Sequence, residues 1–175
     1  MPRSHVGTPR KGRLAWLGLL FLPLACQVWG HTATAIPQEG LAVTYTVAPM
    51  FGWHSDWTRT ITVSFRGSSI RQDLFEDTGW WRGSHLYRHI SGAYVIHEGQ
   101  AGCFAFTVDP LSFAPPVDIS CLKNPSASSA GGTASKYYAD MTYLGAFVET
   151  HAKDGPPIAF IPADQAPEVE LPDVL

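Results

Sequence analysis

The alternation of apolar and polar residues is the feature that most limits how this chain can fold. From Leu41 to Val47 the large apolar residues occupy every second position, and alanine or threonine fills the positions between them. The segment from Thr60 to Arg66 repeats this pattern. Because successive side chains of a β-strand point to opposite faces, each segment has one dry face and one solvated face. The sequence therefore predicts a mainly β fold with antiparallel strands.

The same alternation continues along the chain between glycine-containing turns, which favours one β domain over residues 36–162 with few or no long helices. The segment 109–125 carries four prolines and is expected to be irregular, because proline cannot donate to a ladder. The acidic, proline-containing tail 163–175 is expected to lie loose. Further strands are expected at Ser69–Phe75, His85–Ile90, Ala93–His97, Cys103–Val108, Met141–Thr150 and Ile158–Ile161.

The N-terminal region has the form of a secretory signal peptide. Four basic residues precede an apolar run from Leu14 to Ala25, and an A-x-A site follows at Ala33-Thr34-Ala35. The run is shorter than the ~20 residues of a membrane-spanning helix. We expect residues 1–35 to be removed and the protein to be secreted, or periplasmic in a bacterium, with no transmembrane segment. Lipid attachment at Cys26, after Ala25, is the alternative.

The cysteine count agrees with export. The chain has 3 cysteines, and removal of the signal peptide takes Cys26 and leaves Cys103 and Cys121. Two cysteines in an oxidising compartment most often form a disulfide, which here would contribute about 3 kcal/mol. A buried free thiol at Cys103 is the alternative.

The charge balance excludes some partners. The four basic residues of the leader belong to the 12 of the full chain, so the processed chain has 8 basic and 15 acidic residues, a formal net charge of −7. A chain with this charge and no cluster of Lys or Arg repels nucleic acid and anionic membranes.

The sequence contains no catalytic arrangement that stands out, and it predicts neither an enzyme nor a cofactor. His85 and His89 are four residues apart and His97 adds a third imidazole, but in a strand these are more simply solvated side chains than metal ligands. A G-x-S-x-G nucleophile motif is missing around Ser84. We therefore expect no catalytic residue and no metal site.

Aromatic residues are the unusual enrichment. Tryptophans lie in two turn-like stretches, 50–58 and 76–83, where they either close the end of a core or form the rim of a binding site. Aromatic residues of the strands serve packing, or line a cavity if the sheet is strongly curved. The predicted ligand-binding residues are Tyr45, Trp53, Trp57, Phe65, Leu74, Trp80, Trp81, Tyr94, Phe104, Phe106 and Tyr143.

The order of these elements resembles that of the exported LolA-like superfamily. The resemblance rests on Ser69–Asp73, the strand Tyr94-Val95-Ile96, the short turn to Cys103 and the segment Tyr143-Leu144-Gly145. The position of the second cysteine, Cys121, after the proline-rich segment is similar to the arrangement in the animal branch of this superfamily, the ependymin-related proteins. The resemblance implies a strongly curved antiparallel sheet that forms an open half-barrel with an apolar concave side. It also implies a protein that binds or carries lipids and other hydrophobic ligands and is not an enzyme. This chain lacks the usable glycosylation sequon and larger cysteine set of that branch, so its calcium binding is not carried over.

The predicted function is therefore a secreted, non-enzymatic protein that binds a hydrophobic or lipid-like ligand on the concave face of a curved β-sheet. The alternative is an extracellular structural or protein-interaction module that uses its tryptophan-rich loops. A hydrolase or metal enzyme that uses the three histidines, and carbohydrate binding through the tryptophans, are weaker hypotheses. Fold analogy alone does not decide between them.

Overall fold

The computed structural model describes residues 30–49, 56–74, 77–78, 83–124, 134–150 and 157–174. Over these residues the chain forms eleven β-strands and one 3₁₀ turn, Gly99–Ala101, and no α-helix. The strands are β1 His31–Gln38, β2 Leu41–Pro49, β3 Asp56–Phe65, β4 Ser68–Asp73, β5 Asp77–Thr78, β6 Ser84–His89, β7 Tyr94–His97, β8 Cys103–Val108, β9 Leu111–Ser112, β10 Met141–Glu149 and β11 Ile158–Pro162.

The strands form two antiparallel sheets. Sheet A has the order β1-β2-β3-β4, with the short β5 also paired to β3. Sheet B has the order β11-β10-β6-β7-β8-β9. The predicted mainly β, antiparallel fold is confirmed, and eight strands lie at or next to their expected positions. The sequence did not predict β1, whose residues it assigned largely to the signal peptide.

The two sheets face each other across an apolar core. In β2 the inward positions hold Leu41, Val43, Tyr45 and Val47, all buried, and the ring of Tyr45 stacks on Phe147 of β10 with 5.1 Å between the ring centroids. Each large apolar side chain buried in this way contributes roughly 1.5–3 kcal/mol. The edges also approach each other, β1 beside β11 and β4 beside β9. The fold therefore consists of two stacked sheets, a β-sandwich, with one core between them.

Sheet B buries its other face as well. A second cluster, centred on Tyr87, lies on this outer face under three irregular segments, 119–124, 134–138 and 163–172, which we call the cover. The expected disulfide is present between Cys103 of β8 and Cys121 of the cover, with 6.2 Å between their Cα atoms. The expectation of a loose tail is wrong for residues 163–174, because Glu168 and Leu171 are buried.

A β-bulge in β10 needs a glycine. Tyr143 is opposite Tyr87 and Gly145 is opposite Leu86, so Leu144 is the extra residue. Gly145 has φ 142°, and a Cβ there would clash with the carbonyl of Ile161. The bulge keeps Tyr143 on the outer face of sheet B while Phe147 faces sheet A.

The proposed cleavage site lies within the fold. Ala33 and Ala35 are inward-facing residues of β1 and belong to the core between the sheets. Residues 1–29 lie outside the described residues, so a signal peptide stays a prediction, but its predicted end at Ala35 falls inside β1. Cleavage after Ala35 would remove the first five residues of β1.

Candidate functional site

The two ends of the sandwich differ in how their strands are connected. At one end, the turn end, short turns at 39–40, 66–67, 90–93 and 109–110 join neighbouring strands. At the other end, the loop end, the segments between the long strands are 50–55, 74–83 (which includes β5), 98–102 and 150–157. Arg59 of sheet A contacts Glu98, the residue that follows β7 of sheet B, so these strand ends of the two sheets meet at the loop end.

A buried polar network lies beneath the loop end. The guanidinium Nη1 of Arg59 is 2.5 Å from Glu98 Oε2, and both side chains are almost completely removed from solvent. Tyr45 Oη donates to Glu98 Oε1 at 3.2 Å, and Ser84 Oγ donates to Tyr45 Oη at 2.9 Å. Burial, and next the negative charge of Glu98, raise the pKa of the Tyr45 phenol, so this hydroxyl stays protonated.

This network joins both sheets to one loop. Its four side chains come from β2, β3, β6 and the residue that follows β7. A buried ion pair gives up the hydration of both ions, and removing one partner leaves an uncompensated charge. The Arg59–Glu98 pair therefore fixes the 98–102 connection against the strand ends and makes a rigid base for the loop end.

A depression of about 290 Å³ lies beside this base. It lies where β4 ends at Asp73 and β3 continues back to Asp56. The N–H of Leu74 donates to the Arg59 carbonyl, and β5 pairs with β3 only at Asp56 and Trp57, so among the described residues the β3 edge between Trp57 and Thr60 has no strand partner. Arg71 and Asp73 at its rim are exposed, with 3.8 Å between Nη2 and Oδ1. The depression is lined by Thr58, Arg59, Thr60, Arg71, Asp73 and Leu74.

A second polar network lies under the cover, on the outer face of sheet B. Glu168 of the tail accepts hydrogen bonds from Tyr87 Oη at 2.8 Å, Ser135 Oγ at 2.7 Å and the backbone N–H of Lys136 at 2.7 Å. His85 Nδ1 is 3.0 Å from the same tyrosine hydroxyl. Burial and the neighbouring carboxylate raise the pKa of Tyr87. This network attaches the tail to the sheet.

The three histidines are not brought together. His85 and His97 are cross-strand neighbours, whereas His89 lies at the turn end and contacts Ser91. His97 Nε2 donates to the Cys121 carbonyl and its Nδ1 accepts from the Gly99 N–H, both at 3.0 Å, which fixes a neutral tautomer. Burial lowers the pKa of His97, and burial together with His97 lowers the pKa of His85 to about 4. Among the described residues, no three His, Cys, Asp or Glu side chains are grouped as metal ligands would be.

The predicted ligand-binding residues fall into three groups. Tyr45, Leu74, Tyr94 and Phe106 are buried in the core between the sheets, and Trp57, Phe65 and Phe104 are partly buried against it. Tyr143 is buried on the opposite side of sheet B, under the cover. Trp53, Trp80 and Trp81 lie outside the described residues. A ligand-binding role for these eleven residues stays a prediction, and the burial of the first group gives it no support.

Sequence reasoning missed the charged residues of both networks. Arg59 had a signal, because extending the alternation of β3 back from Ile61 places an arginine on the dry face. The pairing of His85 with His97 also had one, since a hairpin turn at Ser91-Gly92 sets that register. Glu168 had none, because it lies in an irregular segment.

The fold and site define a class, an antiparallel two-sheet domain with one outer face covered by its own irregular segments. No family model, no curated protein and no solved structure matches the chain. Across the described part of the chain, no helix has the length and apolar character needed to cross a membrane.

Proposed function

We propose that the protein is an exported, non-enzymatic binding module that contacts a protein partner through the loop end of the sandwich. One observation carries the proposal: the strand ends that flank the tryptophan-containing connections meet at one end, over the rigid Arg59–Glu98 base. Binding residues concentrate on loops that a rigid scaffold positions. Three of the residues in these connections, Trp53, Trp80 and Trp81, are tryptophans. Tryptophan is one of the residue types enriched among the few residues that contribute most of the binding energy of a protein interface.

The filled interior supports a surface function. Tyr45, Tyr94 and Phe106 have almost no exposed surface, and the rings of Tyr94 and Phe106 stack on each other with 5.3 Å between the ring centroids. Side chains packed in this way occupy the space that an internal ligand would need. A partner that binds outside the core requires no such space.

The contacts of a buried serine and a buried histidine support a non-enzymatic role. Ser135 donates to the Glu168 carboxylate rather than to a histidine. Both ring nitrogens of His97 are engaged by backbone groups, so this imidazole is held as a neutral structural group. Nucleophilic catalysis instead needs a hydroxyl or thiol within hydrogen-bond reach of a base.

The charge balance favours a basic partner. The full chain has a formal net charge of −3, and loss of the four basic leader residues makes it −7. Charge complementarity speeds association, and salt screens it. We therefore expect the partner's contact surface to carry lysine or arginine around an apolar centre, and the association rate to fall as salt rises.

Site-directed photo-crosslinking tests this proposal. A photoreactive residue at exposed Gln100 lies at the loop end, and one at exposed Ile90 lies at the turn end as a matched control. In the protein's native secretion, we expect Gln100 to give a discrete adduct that Ile90 does not give. Substitution of Trp80 and Trp81 by alanine should abolish that adduct and leave the melting temperature nearly unchanged. Equal adducts from both positions, or none from Gln100, would overturn the proposal.

Carriage of a hydrophobic or lipid-like ligand in an open half-barrel is the competing proposal. It is supported by the resemblance to LolA-like and ependymin-related proteins and by the ring-rich interior. For a ligand to reach Tyr45 or Phe106, the two sheets would have to separate. Saturable uptake of a fluorescent fatty acid, displaced by the unlabelled acid, would favour carriage, and no uptake would remove it.

A further inference from the structure

Strand β1 is an integral part of the core. Its backbone pairs with β2 from His31, opposite Val47, to Ala35, opposite Val43. Ala33 and Ala35 point inward and retain 8% and 1% of their accessible surface, and the strand lies beside β11 of the other sheet. Residues 31–35 are therefore part of the folded domain.

Cleavage after Ala35 would take this strand apart. It would remove residues 31–35 with both buried alanines and with five of the six paired positions between β1 and β2. The ladder edge of β2 and the buried Val43, Tyr45 and Val47 would lose their neighbour. A leader that ends at Ala35 is incompatible with the domain that the structure describes.

The sequence offers another cleavage site directly before β1. Val28-Trp29-Gly30 has glycine directly before His31 and a short aliphatic residue two positions further back, and it follows the apolar run that ends at Ala25. In the A-x-A pattern of signal peptidase sites these two positions hold small residues, a condition that glycine meets and that valine, which is somewhat larger, approximates. Only residues 26–30 separate the apolar run from the Gly30–His31 bond.

We propose that signal peptidase cuts the Gly30–His31 bond and that the exported chain begins at His31. Water adds across the peptide bond, so that Gly30 leaves with the leader as a carboxylate and His31 gains an α-amine. The inference rests on the export assumed in the proposed function. Because His31 lies opposite Val47, near the end of β2, the new amino terminus lies at the loop end.

N-terminal sequencing and intact mass of the full chain, secreted with its own leader, test the proposal. We expect a single amino terminus at His31. Gly30→Asp places a charged side chain before the cut bond and should abolish that terminus. Ala35→Val is the matched control. It removes the small residue from the competing Ala33-Thr34-Ala35 site but keeps a residue type that is favoured in strands. In this variant the amino terminus should still be His31.

The other outcomes separate the two claims. A terminus at Ile36, or a lipid-modified one at Cys26, would overturn the inference and leave export standing. A product that keeps Met1 would overturn the inference and also the export on which the proposed function depends. His31 termini in the Gly30→Asp protein would likewise overturn the inference.

Discussion

Two glutamates are buried on opposite sides of sheet B, and the chain stabilises them by different means. Glu98 lies between the two sheets beside the guanidinium of Arg59. Glu168 lies under the cover and receives hydrogen bonds from two hydroxyls and a backbone N–H. The inner carboxylate is neutralised by a cation that a strand fixes in place, whereas the outer one is held by neutral donors. The inner network therefore fixes the two sheets to the 98–102 connection, whereas the outer network attaches the tail to sheet B.

Removing the inner cation should have the largest effect. Arg59→Met leaves Glu98 charged and buried, and we expect it to lower the free energy of unfolding by about 3–5 kcal/mol. Urea unfolding at neutral pH measures this. Arg71→Met is the control, because the exposed Arg71–Asp73 pair should contribute at most about 1 kcal/mol. Similar losses in the two variants would contradict the inner network's role.

Removing the disulfide should loosen only the outer side. The bridge closes a separation of 18 residues, so Cys103→Ala with Cys121→Ala should cost about 3 kcal/mol. Hydrogen exchange should rise in the cover, at residues 119–124 and 134–138, before it rises in β2 and β3. Uniform exchange across both sides would show that the two sides unfold as one unit.

Removing the outer carboxylate should have a smaller effect than removing Arg59. Glu168→Ala leaves the donors of Tyr87, Ser135 and Lys136 without their acceptor, and we expect a loss of about 2 kcal/mol. Glu170→Ala is the matched control, since that exposed side chain pairs with Lys123 at the surface. Tail residues should exchange faster only in Glu168→Ala. Equal behaviour of the two variants would mean that the tail does not depend on Glu168.

The smallest effect concerns pH. The unfolded chain protonates His85 below about pH 6.5, but the folded protein does so only below about pH 4, because the ring is buried beside His97, Tyr87 and Tyr143. The unfolded state binds more protons between these values, so stability falls as the pH is lowered through this window. Between pH 6 and pH 5, His85 should account for about 1 kcal/mol of this loss. Denaturant titrations should show a shallower pH dependence for His85→Gln, and an unchanged one would contradict the assignment.

The strands could be predicted from the sequence because their alternation is local. Between Leu41 and Ile161 the sequence contains segments of period two separated by glycine-containing turns. Most of the strands in this region were predicted from these segments. The failure at β1 has a physical cause, since Ala33 and Ala35 satisfy both a small-residue cleavage pattern and a tightly packed inward face. Alternation predicts which face is apolar but not what covers it. The second sheet and the cover segments 134–138 and 163–172 were therefore not predicted, whereas the disulfide to Cys121 indicated that the proline-rich segment lies on the sheet.

The candidate site was less predictable than the fold. The alternation of β3 predicts that Arg59 lies on the apolar face. Its partner Glu98 could not be predicted, because it is 39 positions further along the chain and follows a strand of the other sheet. Glu168 becomes a tail anchor only once β6 places Tyr87 beneath it. Contacts between distant segments depend on how the sheets are stacked, which residue spacing does not encode.

Native mass spectrometry of the protein purified from its own secretion tests the central claim most directly, namely that its own side chains fill the interior and that binding occurs at the surface. We predict one species with the mass of the disulfide-bonded polypeptide, with no small hydrophobic molecule retained under gentle ionisation. A reproducible stoichiometric adduct with the mass of a lipid would contradict the account.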